Sequence, residues 1–184
     1  MKKSQLRKKI KQSLANIDND LKILKEERCA RHFISLLESL KFSSSKKVIG
    51  LFAPMSDEVN IISSLSEYKD RSAFPCVNDA GEMVFKMSSF QELENSRYFG
   101  VDILGPNKNA LEVIPDLILV PGLAFGTKGE RLGRGKGYYD KYLERKNILT
   151  IGLGLSDQIF SELPMSEHDC FMNWIVTDEE IIEI

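Results

Sequence analysis

The order of apolar and polar positions divides the chain into a helical start and a longer alternation of strands and helices. Leu6, Ile10, Leu14 and Ile17 recur at steps of three and four, the spacing of one helix face. Asn19 or Asp20 offers a cap for a second helix. Its apolar side would carry Leu21, Leu24, Phe33, Ile34, Leu37 and Leu40. Ser43-Ser44-Ser45 reads as a loop. The period then changes. Val48 to Phe52 is a short apolar run closed by Pro54, as expected of a strand covered on both faces. Val59 to Tyr68 reads as helix, with Ile62, Leu65 and Tyr68 turned inward. Ser72–Val77 and Glu82–Met87 read as strands around the turn Asn78-Asp79-Ala80-Gly81. Asp116–Val120 is the strongest strand signal, stopped by Pro121-Gly122. Tyr138–Lys146 suits a helix, Leu149–Leu155 a strand, and Trp174–Thr177 a last strand.

Strands alternating with helices predict an α/β fold, a mainly parallel sheet flanked by helices with right-handed crossovers. One domain over 1–184 is expected, with a helical part at 1–42 and an α/β core at 46–184. In such sheets ligands bind beyond the carboxyl ends of the strands. Ala53–Glu58 and Pro121–Asp140 are therefore the segments to search for chemistry.

Composition narrows the classes. The chain has 184 residues, 25 basic and 27 acidic, for a net charge of -2, which gives no reason to expect nucleic acid as a partner. Lys2, Lys3, Arg7, Lys8, Lys9 and Lys11 crowd the N-terminus, where most of the lysines would form a solvated helix face. Three widely spaced cysteines, Cys29, Cys76 and Cys170, form no CxxC pair and argue against disulfides or a cysteine-ligated zinc. Cys76 and Cys170 read as small buried hydrophobes and Trp174 as core, with His32 and His168 structural or exposed. No apolar run approaches the roughly 20 residues a bilayer span needs, and the basic start is not followed by a secretory h-region. A cytoplasmic protein without membrane contact is the expectation.

The segment from Pro121 to Asp140 contains Gly122, Gly126, Gly129, Gly133, Gly135 and Gly137. So many glycines cost conformational entropy, which a loop bears when it needs positive φ or close approach of its backbone to a ligand. Arg131, Arg134 and Lys136 lie among them. Bare N–H groups with interleaved cations suit a polyphosphate, and the helix starting near Tyr138 would add its positive end. Asp140 follows and could hold a metal that the phosphates also hold. Two familiar phosphate motifs fail. GxxxxGK[ST] would need glycine at Glu130 and a hydroxyl at Gly137, and GxGxxG from Gly133 would need glycine at Tyr138. A merely flexible surface loop is the plain alternative. Glu58 and Asp140 could likewise be helix-start carboxylates, and Asp169 a turn residue.

Leu132-Gly133-Arg134-Gly135-Lys136-Gly137-Tyr138-Tyr139-Asp140, preceded by Pro121 to Phe125 and Gly129, closely resembles the signature of the 5-formyltetrahydrofolate cyclo-ligase family. Lys3 with Arg7, Ala53 to Glu58, Pro75 with Met83 and Phe85, Leu163-Pro164, His168-Asp169 and Thr177 to Glu179 resemble further parts of that family in order along the chain. Three positions depart from it: Gly105 where glutamate is usual, Gly126 where aspartate is common, and Asn60-Ile61 in place of Asp-Thr.

The resemblance implies a fold like the sugar-phosphate isomerase and CoA-transferase superfamily, acting on ATP and a reduced folate with Mg²⁺. It implies ATP contacts from Lys3, Arg7, Arg131, Leu132, Gly133, Arg134, Gly135, Lys136, Gly137, Tyr138 and Tyr139. It implies folate contacts from Ala53, Glu58, Arg134, Gly135, Lys136, Gly137 and Tyr138, with Glu58 on the pterin. Asp140 and Asp169 would bind Mg²⁺, and Arg134, Lys136 and Tyr138 would carry catalysis. Lys3 and Arg7 stand one helical turn apart and can face one ligand. The implied reaction closes 5-formyltetrahydrofolate to 5,10-methenyltetrahydrofolate, and a monomer is expected. Two rivals remain: another enzyme on the same scaffold, such as a sugar-phosphate isomerase or CoA transferase, and a non-catalytic module binding nucleotide or RNA.

Overall fold

The computed structural model describes residues 2–42, 46–98, 101–144 and 146–184. The serine run at 43–45, read as a loop, lies outside them, as does Arg145 within the expected helix to Lys146. Helix α1 (Lys3–Leu14) buries Leu6 and Ile10. Helix α2 (Asn19–Ser39) is capped one residue earlier than expected. The Asp18 carboxylate accepts from the backbone N–H groups of Asp20 and Leu21, the donors a cap residue must satisfy. Its buried side begins at Cys29 and runs through Phe33 and Leu37. Leu21 and Leu24, expected inside, are 46% and 44% exposed, because the first turns of α2 lie outside the core.

The strands are β1 (Ile49–Gly50), β2 (Ser72–Val77), β3 (Met83–Met87), β4 (Glu94–Tyr98), β5 (Val101–Gly105), β6 (Glu112–Val113), β7 (Leu117–Pro121), β8 (Ala124–Gly126), β9 (Arg131–Leu132), β10 (Leu149–Leu153), β11 (Ile159–Phe160), β12 (Trp174–Val176) and β13 (Ile181–Glu183). The short helix α3 (Tyr138–Leu143) precedes β10. Ile62–Arg71 is a 3₁₀ helix rather than an α-helix from Val59, and it buries Ile62, Leu65 and Tyr68. The segment is kinked at Leu65, whose φ of -105° and ψ of 20° are not helical, so it is two short 3₁₀ stretches rather than one continuous helix.

Among the described residues, eight strands form the main sheet in the order β13-β12-β10-β7-β1-β2-β3-β6. The five central strands pair in parallel, and antiparallel strands close both edges. Trp174–Thr177 is thus not the last strand, since β13 turns back along it. The apolar run of β7 conceals an alternation. Leu117 and Leu119 pack on the side of α2 with Phe33 and Leu37, while Ile118 and Val120 pack opposite with Phe85, Tyr142 and Leu143. Trp174 packs partly buried against the first cluster. Cys76 is buried as expected, but Cys170 is only half-buried. His32 Nδ1 lies 2.7 Å from the Thr177 carbonyl oxygen, a structural contact between α2 and the end of β12.

Leu6 and Ile10 form a third cluster with Leu123, Ala124, Leu132 and Leu163. This contact docks α1 onto β8 and β9, and so places the N-terminal cations beside the glycine-rich segment.

Candidate functional site

A cavity of about 490 Å³ opens at the carboxyl ends of β1 and β7. Its lining includes the residues after β1 (Phe52, Ala53, Met55 and Glu58), Pro121-Gly122 and the whole run Arg131–Asp140. The two segments singled out by strand polarity therefore meet in one place. The lining is in part apolar, from Phe52, Met55, Pro75, Met83, Ile103 and Leu104, and in part a cationic wall. A second hollow of about 420 Å³ lies against α1 near Leu163, but it sets one lysine, Lys9, against Asp157 and Glu162 and lacks such a wall.

The cationic wall comes from two elements. Along α1, Lys3, Arg7 and Lys11 stand at four-residue steps and all line the cavity. Lys3 Nζ pairs with the Asp169 carboxylate and lies 2.9 Å from Ser166 Oγ. Arg7 Nε donates to the Gly133 carbonyl oxygen at 2.8 Å. The Arg7 guanidinium lies against Gly135, where an added Cβ would come within 3.3 Å of it. Gly135 also has φ +97°, a conformation that glycine takes without strain. Gly137, at φ +71°, starts α3, and its carbonyl accepts from Lys141 N–H at 3.0 Å.

Other glycines of the segment answer to packing instead. A Cβ at Gly122 would lie 2.6 Å from the Phe125 ring. At Gly126 it would meet the carboxylate of buried Glu130, so an aspartate there would collide with it. The expectation that these glycines serve positive φ or a ligand is thereby corrected for Gly126, while Gly122 lines the cavity and is also kept small by the Phe125 ring.

Arg131 is buried and bonded. Its Nε donates to the Pro121 carbonyl at 2.9 Å, its Nη1 to Asp140 Oδ1 at 3.1 Å, and its guanidinium sits 5.1 Å over the Tyr139 ring. Burial, with the Glu58 charge adding to it and Arg131 opposing it, pushes the Tyr139 hydroxyl far above its ordinary value, so it stays a neutral phenol. Leu132 is buried among Leu6, Ile10 and Leu123. Arg134 donates from Nε to Glu58 Oε1 at 2.8 Å and from Nη1 and Nη2 to Asp57 at 3.1 and 2.5 Å. Burial works against its charge, but the two carboxylates overcome that and raise its pKa. Lys136 is exposed, and no hydrogen bond or ion pair of its side chain is present among the described residues. Glu58 Oε2 accepts from Met55 N–H at 3.0 Å, so each oxygen keeps one lone pair for another donor.

Every residue the sequence assigned to ATP, folate or metal thus lines one cavity. Asp140 and Asp169 each carry a cation partner, Arg131 and Lys3, and no group of three or more His, Cys, Asp or Glu placed for a metal occurs among the described residues. Sequence reasoning missed Lys11, whose four-residue step beyond Arg7 signals it. It also missed Ile103 and Leu104, and Asp57, whose link to Arg134 crosses 77 positions and has no local signal.

The cleft thus lies at the carboxyl ends of parallel strands, where ligands of open α/β sheets bind, and brings apolar and cationic side chains into one lining. The chain belongs to the 5-formyltetrahydrofolate cyclo-ligase family, whose model matches residues 1–178. It is similar to the NMR structure of 5,10-methenyltetrahydrofolate synthetase from Aquifex aeolicus, with a TM-score of 0.81 and 31% identity, over 100% of this chain and 93% of that one. It is 25% identical to the 5-formyltetrahydrofolate cyclo-ligase of Haemophilus influenzae over 178 residues, covering 91% of this chain and 93% of that protein. A probable 5-formyltetrahydrofolate cyclo-ligase of Schizosaccharomyces pombe is 33% identical over 117 residues, 52% of this chain and 57% of that one. The mouse 5-formyltetrahydrofolate cyclo-ligase matches over 34% of its own length. No helix among the described residues is long and apolar enough to cross a membrane.

Proposed function

We propose that this chain is an ATP-dependent ligase that closes 5-formyltetrahydrofolate to 5,10-methenyltetrahydrofolate, releasing ADP and phosphate. One observation carries the reading: in a chain of this family, apolar side chains suited to a ring system and cationic side chains suited to a triphosphate line one cavity. The formyl oxygen attacks the γ-phosphorus of ATP and ADP leaves, giving an N5-iminium phosphate. N10 attacks the activated carbon and loses its proton, and phosphate departs with the former formyl oxygen.

The residues divide this work. Arg134 and Lys136, with the N–H groups of Gly133, Gly135 and Gly137, spread the charge of the transferring phosphoryl group. Lys3 and Arg7 reach the same phosphates from α1, while Arg131, Leu132 and Tyr139 hold the loop's shape around the nucleotide. Ala53, Glu58 and Tyr138 face the folate, and the free lone pairs of Glu58 suit the donor edge of the pterin. Positioning the formyl oxygen in line with the phosphorus supplies the remainder.

The donor set fits Mg²⁺ carried in on the nucleotide, because that ion takes one or two carboxylates plus phosphate oxygens rather than a protein cage. Asp140 and Asp169 would hold it, and when bound it neutralises phosphate charge. The rest of the reading is a single-domain monomer in the cytoplasm, on the sugar-phosphate isomerase and CoA-transferase-like scaffold. The parallel sheet with its cavity at the strand ends supports that scaffold. An RNA-binding module is disfavoured because Arg131 is already bonded on three sides.

The test is purified protein with ATP, Mg²⁺ and 5-formyltetrahydrofolate, read by the appearance of methenyl absorbance. Product that forms only when ATP is present supports the proposal. Absence of product with folded protein overturns it.

A further inference from the structure

Arg134 is flanked by Gly133 and Gly135, so its own loop gives it little stiffness. Its guanidinium is nevertheless gripped from two sides. Glu58 takes Nε, and Asp57 takes Nη1 and Nη2 together in a bidentate pair, the geometry that fixes the plane of a guanidinium. Glu58 and Arg134 line the cavity and Asp57 does not, so Asp57 grips Arg134 from outside the cavity lining. Each Nη keeps one N–H beyond those given to Asp57.

The turn carrying Asp57 is itself mounted. Glu58 N–H donates to the Met55 carbonyl at 2.9 Å, closing the turn. Lys22 of α2 donates to the Ser56 carbonyl at 2.7 Å, and Glu26 of α2 accepts from Asn60 N–H at 2.9 Å. Asp57 is thereby referred to a 21-residue helix, not to the loop it restrains. Burial raises the Asp57 carboxyl, but Arg134 and, more weakly, Lys11 hold it below the usual range, so it stays charged.

We infer that Asp57 is a positioning residue for the reaction: it fixes the plane of the Arg134 guanidinium on the cavity lining, so that the cation meets the ligand phosphate in one orientation. This rests on the proposed function, and it excludes the opposite role of a brake that withholds Arg134 from ATP. A brake would sit on a movable segment, whereas the 55–58 turn is tied to α2 within it, at Ser56, and just after it, at Asn60.

The experiment compares wild type, Asp57→Asn, Asp57→Glu, Arg134→Ala and the double variant. Asp57→Asn is expected to lower kcat by on the order of tenfold to a hundredfold while the KM for the folate moves by less than about threefold, the pattern of a misplaced group that acts in the transition state. Asp57→Glu should restore part of the loss. In the Arg134→Ala background, Asp57→Asn should change kcat no further. Nitrogen-15 NMR of the Arg134 Nη groups should show slowed rotation in wild type and its loss in Asp57→Asn. Unchanged or increased kcat in Asp57→Asn, or a full additional loss in the double variant, overturns the inference. If wild type makes no methenyl product, the proposed reaction falls, and the NMR comparison still decides whether Asp57 holds Arg134. Equal Nη rotation in the two proteins would then sink it.

Discussion

Two clusters in this molecule join carboxylates to one cation, and their surroundings separate their roles. In the first, Lys25 of α2 meets Asp178 at 3.2 Å and Asp157 at 2.5 Å, while Asp178 also accepts from Ser156 N–H at 2.6 Å. Asp178 is 3% exposed, and the cluster ties α2 to the loops after β10 and β12. In the second, Arg134 meets Asp57 and Glu58 at the wall of the cavity. Lys25 is surrounded by the groups it satisfies, whereas Arg134 lines the cavity with an N–H on each Nη left over from its bonds to Asp57. The same ion-pair chemistry thus suits stability where every donor ends on protein and leaves capacity for a ligand where some do not, which is the role proposed for Arg134.

Substitutions can break this contrast, and the largest effect belongs to the cavity. Arg134→Ala should lower kcat/KM for methenyl formation by on the order of 10²–10³, as expected for removing a donor aimed at developing charge, with little change in thermal midpoint. Asp140→Ala should lose most activity in the same assay and keep its fold. A variant that melts early and stays active would reverse the assignment.

Asp178→Asn should do the opposite. A loss of about 1–3 kcal/mol in urea denaturation is expected, because buried Ser156 N–H and Lys25 lose a charged partner, with kcat per folded molecule unchanged. The loss also has a pH signature. Burial raises the Asp178 carboxyl, but Ser156 N–H and Lys25 more than compensate and lower it. A carboxyl lowered on folding contributes stability above its unfolded value, and that contribution disappears as pH falls through the folded value. The gap between wild type and Asp178→Asn should therefore be full at neutral pH and close in acid. A gap that widens toward low pH would contradict the arrangement.

The smallest effect falls on backbone. Gly137→Ala meets no atom within 4 Å, so its cost, about 1 kcal/mol, should come only from φ +71° and be read in the same denaturation curves. A much larger loss would mean that space around α3 is tighter than the geometry indicates.

Some of this was legible without coordinates. The strands Ser72–Val77 and Leu117–Pro121 declare themselves by short apolar runs ended by turn residues, and β7 buries four successive side chains as a two-faced strand must. The run from Leu132 to Asp140 stood out because glycine and cation alternate locally, and the structure sets all of it in the lining of the cavity. Other elements were not legible. β8, β9 and β11 are two or three residues long and exist only through pairing with each other. The hairpin of β4 and β5 was missed because β4, Glu94–Tyr98, is mostly polar and β5, Val101–Gly105, has an apolar run of only two residues, Ile103-Leu104.

What the sequence by itself determined is the set of local preferences: which stretches bury themselves on one face or two, where glycine permits a turn, and which short segment bears cations among bare backbone. What only tertiary structure decided is pairing across distance. Lys3 reaches Asp169, Arg7 reaches Gly133, and Arg134 reaches Asp57 and Glu58 only after α1 docks on β8 and β9 and the sheet brings the ends of β1 and β7 together. The physical reason is that periodicity and turn chemistry act over a few residues, whereas a charge finds its partner through packing of the whole core.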